Sequence, residues 1–146
     1  MDEKEELANI FKHLADILAY LGEDRFKVRA YRRAAEALEE LGEDVRKLAA
    51  EGKLQDVPGV GKAIARKIEE FLTTGRMHKY DEALRSVSDG IAELLKLPGL
   101  GPRTVAKLVE MGIDNPGALL RALAEGRAFP GLRVRWDEVK KVLEDL

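Results

Sequence analysis

One short pattern occurs twice in the chain, about 40 residues apart. The two copies read Val57-Pro58-Gly59-Val60-Gly61-Lys62 and Leu97-Pro98-Gly99-Leu100-Gly101-Pro102, and we call them the first and second hairpins. Each has two glycines around one apolar residue and opens a stretch with helical spacing. Because glycine adopts positive φ at little cost, the pattern predicts a sharp turn that leads into a helix N-terminus. Val60 and Leu100 are expected to point inward.

Turns of this kind are suited to binding anions. The first amide N–H groups of a helix have no partner within the helix, and the helix dipole is positive at that end, so a phosphate oxygen is favoured there. Gly59, Gly61, Gly99 and Gly101 carry no side chain, so a nucleic-acid backbone can approach them closely. A turn that only reverses the chain is the alternative for either copy alone. The repetition with one internal spacing favours binding.

Apolar residues recur with helical spacing along most of the sequence, and five prolines with no alternating β-branched runs argue against a sheet. We therefore predict an all-α fold of tandem hairpin units in small helical bundles. The predicted helices are an N-terminal helix from Leu7 to Leu21, then Arg25–Leu41, Val45–Ala50, Lys62–Thr73, Ile91–Lys96, Thr104–Glu110, Pro116–Glu125 and Trp136–Leu146. In the second helix the pattern places Phe26, Ala30, Tyr31, Ala34, Leu38 and Leu41 inward, and Arg29, Arg32 and Arg33 outward.

A domain boundary is predicted where the helical pattern weakens. The stretch 76–89 contains the polar run Ser86-Val87-Ser88-Asp89, which predicts a first domain over residues 1–76 and a second over residues 77–146. In the second domain, Phe129-Pro130-Gly131-Leu132 resembles a third hairpin, but Arg133 stands where the second glycine is expected. We interpret this third hairpin as a packing element rather than a phosphate site.

Composition narrows the setting of the protein. The chain has no cysteine, so disulfides and thiolate metal sites are excluded and a reducing compartment fits. No apolar run reaches the roughly 20 residues that span a bilayer, so we expect a cytoplasmic protein with no membrane partner. His13 and His78 are expected at the surface without a zinc site, and Trp136 is expected to anchor a core.

Net charge alone argues against a nucleic-acid partner, because 25 basic and 27 acidic residues give −2. The distribution along the chain changes that conclusion. Residues 1–24 carry a net −5, residues 25–85 carry +3 and residues 86–146 are balanced. An acidic first helix therefore masks a mildly basic middle. The face formed by Lys62, Arg66, Lys67, Arg103 and Lys107 is expected to matter more than the net charge.

The hairpins resemble the helix-hairpin-helix motif of proteins that bind DNA without sequence specificity. Together with the stretch Phe26–Ala35 and the run Ala63–Gly75, in that order, they are similar to the N-terminal part of family X DNA polymerases, especially the bacterial ones. The resemblance covers nearly the whole chain. It implies DNA as the partner, bound at the downstream 5′ end of a gap, and in several members removal of a 5′-deoxyribose phosphate through a lysine Schiff base.

The resemblance also assigns residues. Lys67 takes the place of the Schiff-base nucleophile, and Tyr31, Lys27 and Lys79 take the places of pocket residues. Three positions depart from the pattern of the animal family X enzyme that acts in DNA repair. That enzyme has a histidine at the position of Phe26 and lysines at the positions of Ala63 and Gln55. The implied DNA contacts are Lys27, Gly59, Gly61, Lys62, Arg66, Lys79, Gly99, Gly101, Arg103 and Lys107. The implied ligands of a monovalent cation, Na⁺ or K⁺, are the backbone carbonyls of Gln55, Val57 and Val60 and of Leu95, Leu97 and Leu100.

Several functions stay open from the sequence. A neutral amine is needed for attack on the sugar aldehyde, and Lys62, Arg66 and Lys27 are the cations expected to lower the pKa of Lys67; a solvated surface lysine without chemistry is the alternative.

We expect no required cofactor and no polymerase activity, because the family places its metal-binding carboxylates in a domain downstream. A polymerase or nuclease domain is therefore an expected partner. The rival function is a stable helical scaffold or interaction protein, natural or engineered.

Overall fold

The computed structural model describes residues 2–146, and every regular element in that range is helical, as predicted. A short 3-10 helix at Leu54–Asp56 precedes the first hairpin. The α-helices are α1 Glu3–Tyr20, α2 Arg25–Glu40, α3 Val45–Ala50, α4 Lys62–Thr74, α5 His78–Arg85, α6 Asp89–Lys96, α7 Pro102–Glu110, α8 Pro116–Ala124 and α9 Trp136–Glu144. None of these helices is both long and apolar enough to cross a membrane.

Side-chain caps explain where most of these helices begin. A side-chain oxygen of the residue before the helix accepts a hydrogen bond from an amide of the first turn, which satisfies one of the donors that the helix itself leaves unpaired. The caps are Asp2 for α1, Asp24 for α2, Asp44 for α3, Ser88 for α6 and Asn115 for α8. The helices that follow the first and second hairpins, α4 and α7, have no such side-chain cap.

The chain forms two compact units, and the boundary lies after Arg85. It therefore differs from the boundary predicted after Arg76, because α5 packs against α1 of the first unit. The sequence analysis left 76–89 without a helix. The segment HKYDEALR is polar, and Ala83 is its one buried residue, so its hydrophobic pattern carries little signal.

Apolar burial holds α1 against α2 in the first unit. Leu7, Phe11, Leu14 and Ile17 of α1 are fully buried, and the Phe11 ring stacks on Tyr31 of α2 with centroids 6.0 Å apart. Each buried aliphatic side chain of this size contributes about 1.5–3 kcal/mol. An exposed ion pair such as Lys12–Glu39 contributes about 0–1 kcal/mol, so burial dominates this interface.

The predicted inward face of α2 is wrong at its N-terminal end. Phe26 is 65% exposed and Ala30 is exposed, whereas Val28 and Ala35 are buried. The buried stripe runs through Val28, Tyr31, Ala35 and Leu38, which is the i, i+3, i+7, i+10 spacing of one helix face. Phe26 and Ala30 lie on the row of α2 side chains next to this buried stripe.

The expectation of a surface position is wrong for His13 and right for His78. His13 is 5% exposed, and its Nδ1 lies 2.7 Å from the Tyr80 hydroxyl of α5. The two rings also meet edge to face, with centroids 5.6 Å apart. This polar contact fastens α5 to α1, which explains how a helix with so little apolar surface is held in place.

The second unit has its own core. Leu94 of α6, Val105 and Leu108 of α7, and Leu119 of α8 are fully buried. At its C-terminal end the rings of Phe129 and Trp136 lie 4.8 Å apart, and Phe129 is buried while Trp136 is partly exposed.

We expect Tyr80→Phe to destabilise the first unit by about 1–2 kcal/mol, because a buried histidine loses a hydrogen-bond partner. Urea unfolding followed by circular dichroism measures the change. Tyr20→Phe is the matched control, since no hydrogen bond within residues 2–146 involves the Tyr20 hydroxyl. Equal stability of the two variants would show that the His13–Tyr80 contact does not hold α5.

Candidate nucleic-acid interface

The first hairpin is a type II turn. The Val60 amide donates to the Val57 carbonyl at 3.0 Å, with Pro58 at the second position and Gly59 at the third. Gly59 has φ +92°, which that position of the turn requires. The Val57 amide also donates to the Leu54 carbonyl at 3.1 Å, which joins the turn to the preceding 3-10 helix.

The second hairpin repeats this geometry bond for bond. The Leu100 amide donates to the Leu97 carbonyl at 3.2 Å, and the Leu97 amide donates to the Leu94 carbonyl at 3.1 Å. Gly99 has φ +84°. The central residues, Val60 and Leu100, are 5% and 4% exposed, so each fixes its turn to the core as predicted.

Positive φ belongs to the first glycine of each pair alone. Gly61 and Gly101 each have φ −86° and an extended ψ, a conformation open to any residue. The expectation that both glycines turn the chain is therefore wrong. What the second glycine provides is space: a Cβ added at Gly61 or Gly101 would meet nothing within 4 Å. A ligand can therefore reach the backbone there.

The helices that follow the hairpins begin without a side-chain cap. Gly61 is the N-cap of α4 and Gly101 that of α7, and neither first turn contains an acidic residue. The positive end of each helix dipole is thus left uncompensated. Four exposed cations lie on the first two turns of these helices: Lys62, Arg66, Arg103 and Lys107.

A groove of about 590 Å³ runs between the first hairpin and α2. Ala30 and Arg33 line one side, and Gly59, Gly61 and Lys62 line the other. Gly59 lies so close to α2 that a Cβ there would meet the Arg33 carbonyl oxygen at 3.3 Å. The site therefore includes Arg33, which the sequence analysis placed outward without a role. Ala30 and Arg33 lie one helical turn apart, on the row of α2 side chains next to the buried one, but no sequence pattern places that row against the hairpin.

A cluster of side chains distinct from the groove surrounds Lys67 in the first unit. Its side chain is half-buried, and Nζ lies 5.8 Å from the centre of the Tyr31 ring. Burial lowers the pKa of Lys67, and the charges of Lys79 and Lys27 lower it further, against the opposing charge of Glu70. Lys67 is therefore only partly solvated, and its chemical role stays a prediction. Of the cations expected to act on it, Lys27 does so, and Lys79 of α5 joins it.

The structure thus brings together four residues that the sequence analysis assigned to one pocket: Lys27, Tyr31, Lys67 and Lys79. Tyr31 is 8% exposed and stacked on Phe11, and burial raises the pKa of its hydroxyl. Lys79 Nζ also lies 3.3 Å from a carboxylate oxygen of Glu82. Because α5 supplies Lys79, the contact between α5 and α1 helps to build this cluster.

The carbonyls assigned to a monovalent cation lie around the two turns. Those of Val57 and Leu97 each accept one hydrogen bond within the turn and keep a second lone pair. Gln55 is exposed and Leu95 is buried, so only their backbone carbonyls correspond between the two hairpins. The cation stays a prediction.

Comparison with known families finds a Helix-hairpin-helix domain over residues 2–77 and a SAM-like Helix-hairpin-helix tandem over residues 91–132. The chain belongs to the helix-hairpin-helix domain family. Each match contains one of the two type II turns described above. The prediction of tandem helix-hairpin-helix units is confirmed.

Two curated relatives are DNA polymerases. The DNA polymerase/3′-5′ exonuclease PolX of Bacillus subtilis (strain 168) is 32% identical over 120 residues, which is 82% of this chain and 20% of that protein. The DNA polymerase lambda of Arabidopsis thaliana is 32% identical over 116 residues, 76% of this chain and 20% of that protein. The resemblance to family X polymerases is confirmed, and the helix-hairpin-helix chain spans about a fifth of the length of these relatives.

Proposed function

We propose that this chain is a DNA-binding module that recognises the phosphate backbone of gapped or duplex DNA without reading its sequence. One observation carries the proposal: two identical type II turns each open a helix with no side-chain cap, no acidic residue in its first turn and exposed cations beside it. Helix N-termini of this kind favour phosphate. The names of the two relatives, both DNA polymerases, support DNA as the nucleic acid.

The contacts available explain why sequence would not be read. Backbone amides and the lysine and arginine side chains of the hairpins suit phosphate oxygens, which are the same at every base pair. Gly61 and Gly101 present no side chain to a groove. A monovalent cation on the turn carbonyls and a polymerase or nuclease domain outside these residues fit the same proposal, because both would act on the bound backbone.

We expect the affinity for DNA to be low and to depend on salt. With about 4 phosphates neutralised, log K should fall by roughly 3.6 per decade of salt concentration. Fluorescence anisotropy on gapped, nicked and intact duplexes measures this slope. Absence of binding to all three at low salt would overturn the proposal and favour a helical scaffold without DNA chemistry.

Gly101→Ala should weaken DNA binding several-fold while the free energy of unfolding falls by no more than about 1 kcal/mol: φ is ordinary at Gly101 and the new methyl group meets no protein atom, but alanine is a poorer N-cap than glycine. The methyl group would occupy the space that a phosphate oxygen needs.

Gly112→Ala is the matched control. It places alanine at φ +84° at the end of α7, where the expected cost is about 1 kcal/mol and DNA affinity should not change. If Gly101→Ala bound DNA like the parent, access to the backbone would not be the role of that glycine.

We further propose a residual 5′-deoxyribose-phosphate lyase activity at the Lys67 cluster. The neutral Nζ would attack the C1′ aldehyde of the sugar and expel water to form an imine. Loss of a C2′ proton would then break the bond between C3′ and its phosphate oxygen. The lowered pKa of Lys67 supports this role, because a larger fraction of the amine is neutral near pH 7. Lys27 and Lys79 would hold the negative charge of the substrate.

Borohydride should trap Lys67 covalently on a 5′-incised abasic site, and Lys67→Ala should abolish trapping while DNA binding persists. The initial rate should rise with pH and level off below the range of an ordinary lysine, near 10.4. In Lys79→Gln the loss of a cation raises the pKa of Lys67, so the profile should move to higher pH.

Arg85→Gln, with the same change of charge at an exposed position of α5, serves as the control and should leave the profile in place. Equal trapping in Lys67→Ala would assign the chemistry to another amine. No trapping in the parent would exclude the lyase activity and leave the binding module.

A further inference from the structure

The third hairpin keeps the turn of the other two. The Leu132 amide donates to the Phe129 carbonyl at 3.2 Å, with Pro130 at the second position and Gly131 at φ +86°. This is the type II geometry of both phosphate-binding candidates. The third hairpin therefore has the same turn as the other two without their second glycine.

The third hairpin, however, lacks the features that favour anion binding by backbone amides in the other two hairpins. Arg133 stands where Gly61 and Gly101 stand in the other copies, so this position carries a side chain where the other two hairpins have none. The first turn of the following helix, α9, contains Asp137 and Glu138, which disfavour an anion at that helix end. Phosphate binding by the helix N-terminus is therefore not the role of this hairpin.

Arginine side chains are what the hairpin offers instead. Arg127, Arg133 and Arg135 are exposed, and residues 126–136 contain no acidic residue. The Arg127 guanidinium lies 5.8 Å from the centre of the Phe129 ring. Phe129 packs in turn on Trp136, so one aromatic contact anchors both ends of the loop. Arginines on an anchored loop lose less conformational entropy when they bind.

Two of the three arginines have no carboxylate partner among the described residues. Within residues 2–146, no ion pair involves Arg127 or Arg133, whereas Arg135 lies 3.4 Å from Glu138 with both side chains largely exposed. A guanidinium group presents a planar fork of donors that matches a phosphate group in a bidentate way. Arg127 and Arg133 are thus available for an external phosphate.

We propose that the third hairpin is a separate DNA-phosphate site that binds through the guanidinium groups of Arg127 and Arg133 rather than through backbone amides. This inference rests on the proposed DNA-binding function. The same compact unit of 61 residues carries the second hairpin, and a unit of that size has a radius of gyration of about 10 Å. A duplex carries a charge about every 1.7 Å along its axis, so a duplex held at the second hairpin has further phosphates within the dimensions of this unit.

The test compares salt slopes. In the double variant Arg127→Gln/Arg133→Gln, log K should fall less steeply with log salt, by about 1.8 fewer units per decade, since each lost phosphate contact removes about 0.9. Lys140→Gln/Lys141→Gln, with the same loss of charge on α9, is the matched control and should keep the parent slope. The conservative variant Arg127→Lys/Arg133→Lys should also keep most of it.

The outcomes separate the two proposals. If the parent binds DNA and Gly101→Ala weakens binding, but the arginine variant has the slope of the lysine control, the third hairpin is not a phosphate site and the proposed function stands. If the parent does not bind DNA, the proposed function itself fails. Circular dichroism of each variant shows that a changed slope does not come from unfolding, and Arg133→Gln alone, with an expected loss of about 0.9, repeats the test with a smaller change.

Discussion

The hydrogen bond across the type II turn determines the geometry of the candidate site. It joins the carbonyl before the proline to the amide of the residue after the first glycine, and the type II form of the turn requires that glycine to take positive φ. Once it is made, the next residue points into the core and the following glycine is extended, so a helix begins at once with free amides. In the first hairpin the same glycine lies against the backbone of α2, which fixes the groove beside it. Turn, core contact and anion site are consequences of one constraint.

Local charge then matters more than the net charge of −2. Two acidic residues of α1 pair with cations of other helices: Glu3 with Arg46 at 2.6 Å and Asp16 with Arg32 at 2.8 Å. Each pair neutralises one negative and one positive charge within the first unit. Within residues 2–146, no ion pair engages Lys62 or the other three cations beside the hairpins, so their charge stays available to a ligand. Within each unit, a mildly acidic chain can therefore still present positive charge beside the first or the second hairpin.

The sequence predicted the helices well because most of them carry both signals that helices need, an apolar stripe and a cap. It failed where tertiary contacts supply the order. Helix α5 has one buried residue, and what holds it is the contact of Tyr80 with His13, a histidine that no local pattern marks as buried. Phe26 was placed inward because it is apolar, although it lies off the buried stripe of α2. The φ of Gly101 could not be read from its identity, since glycine permits both signs.

The same distinction applies to the candidate sites. The hairpin residues were found from sequence because a repeated local device forms the site, whereas Arg33 was missed because it reaches the groove only through the packing of α2 on the hairpin. On α2, Ala30 and Tyr31 are successive residues about 100° apart, so one helix lines the groove with the first and the lysine cluster with the second. On α4, Lys67 lies six residues beyond Gly61, or about 9 Å along the helix axis. Phosphates of one strand follow one another about every 3.4 Å along a duplex axis, so about 9 Å corresponds to between two and three phosphate steps. The hairpin and the amine would therefore meet different nucleotides of a bound strand.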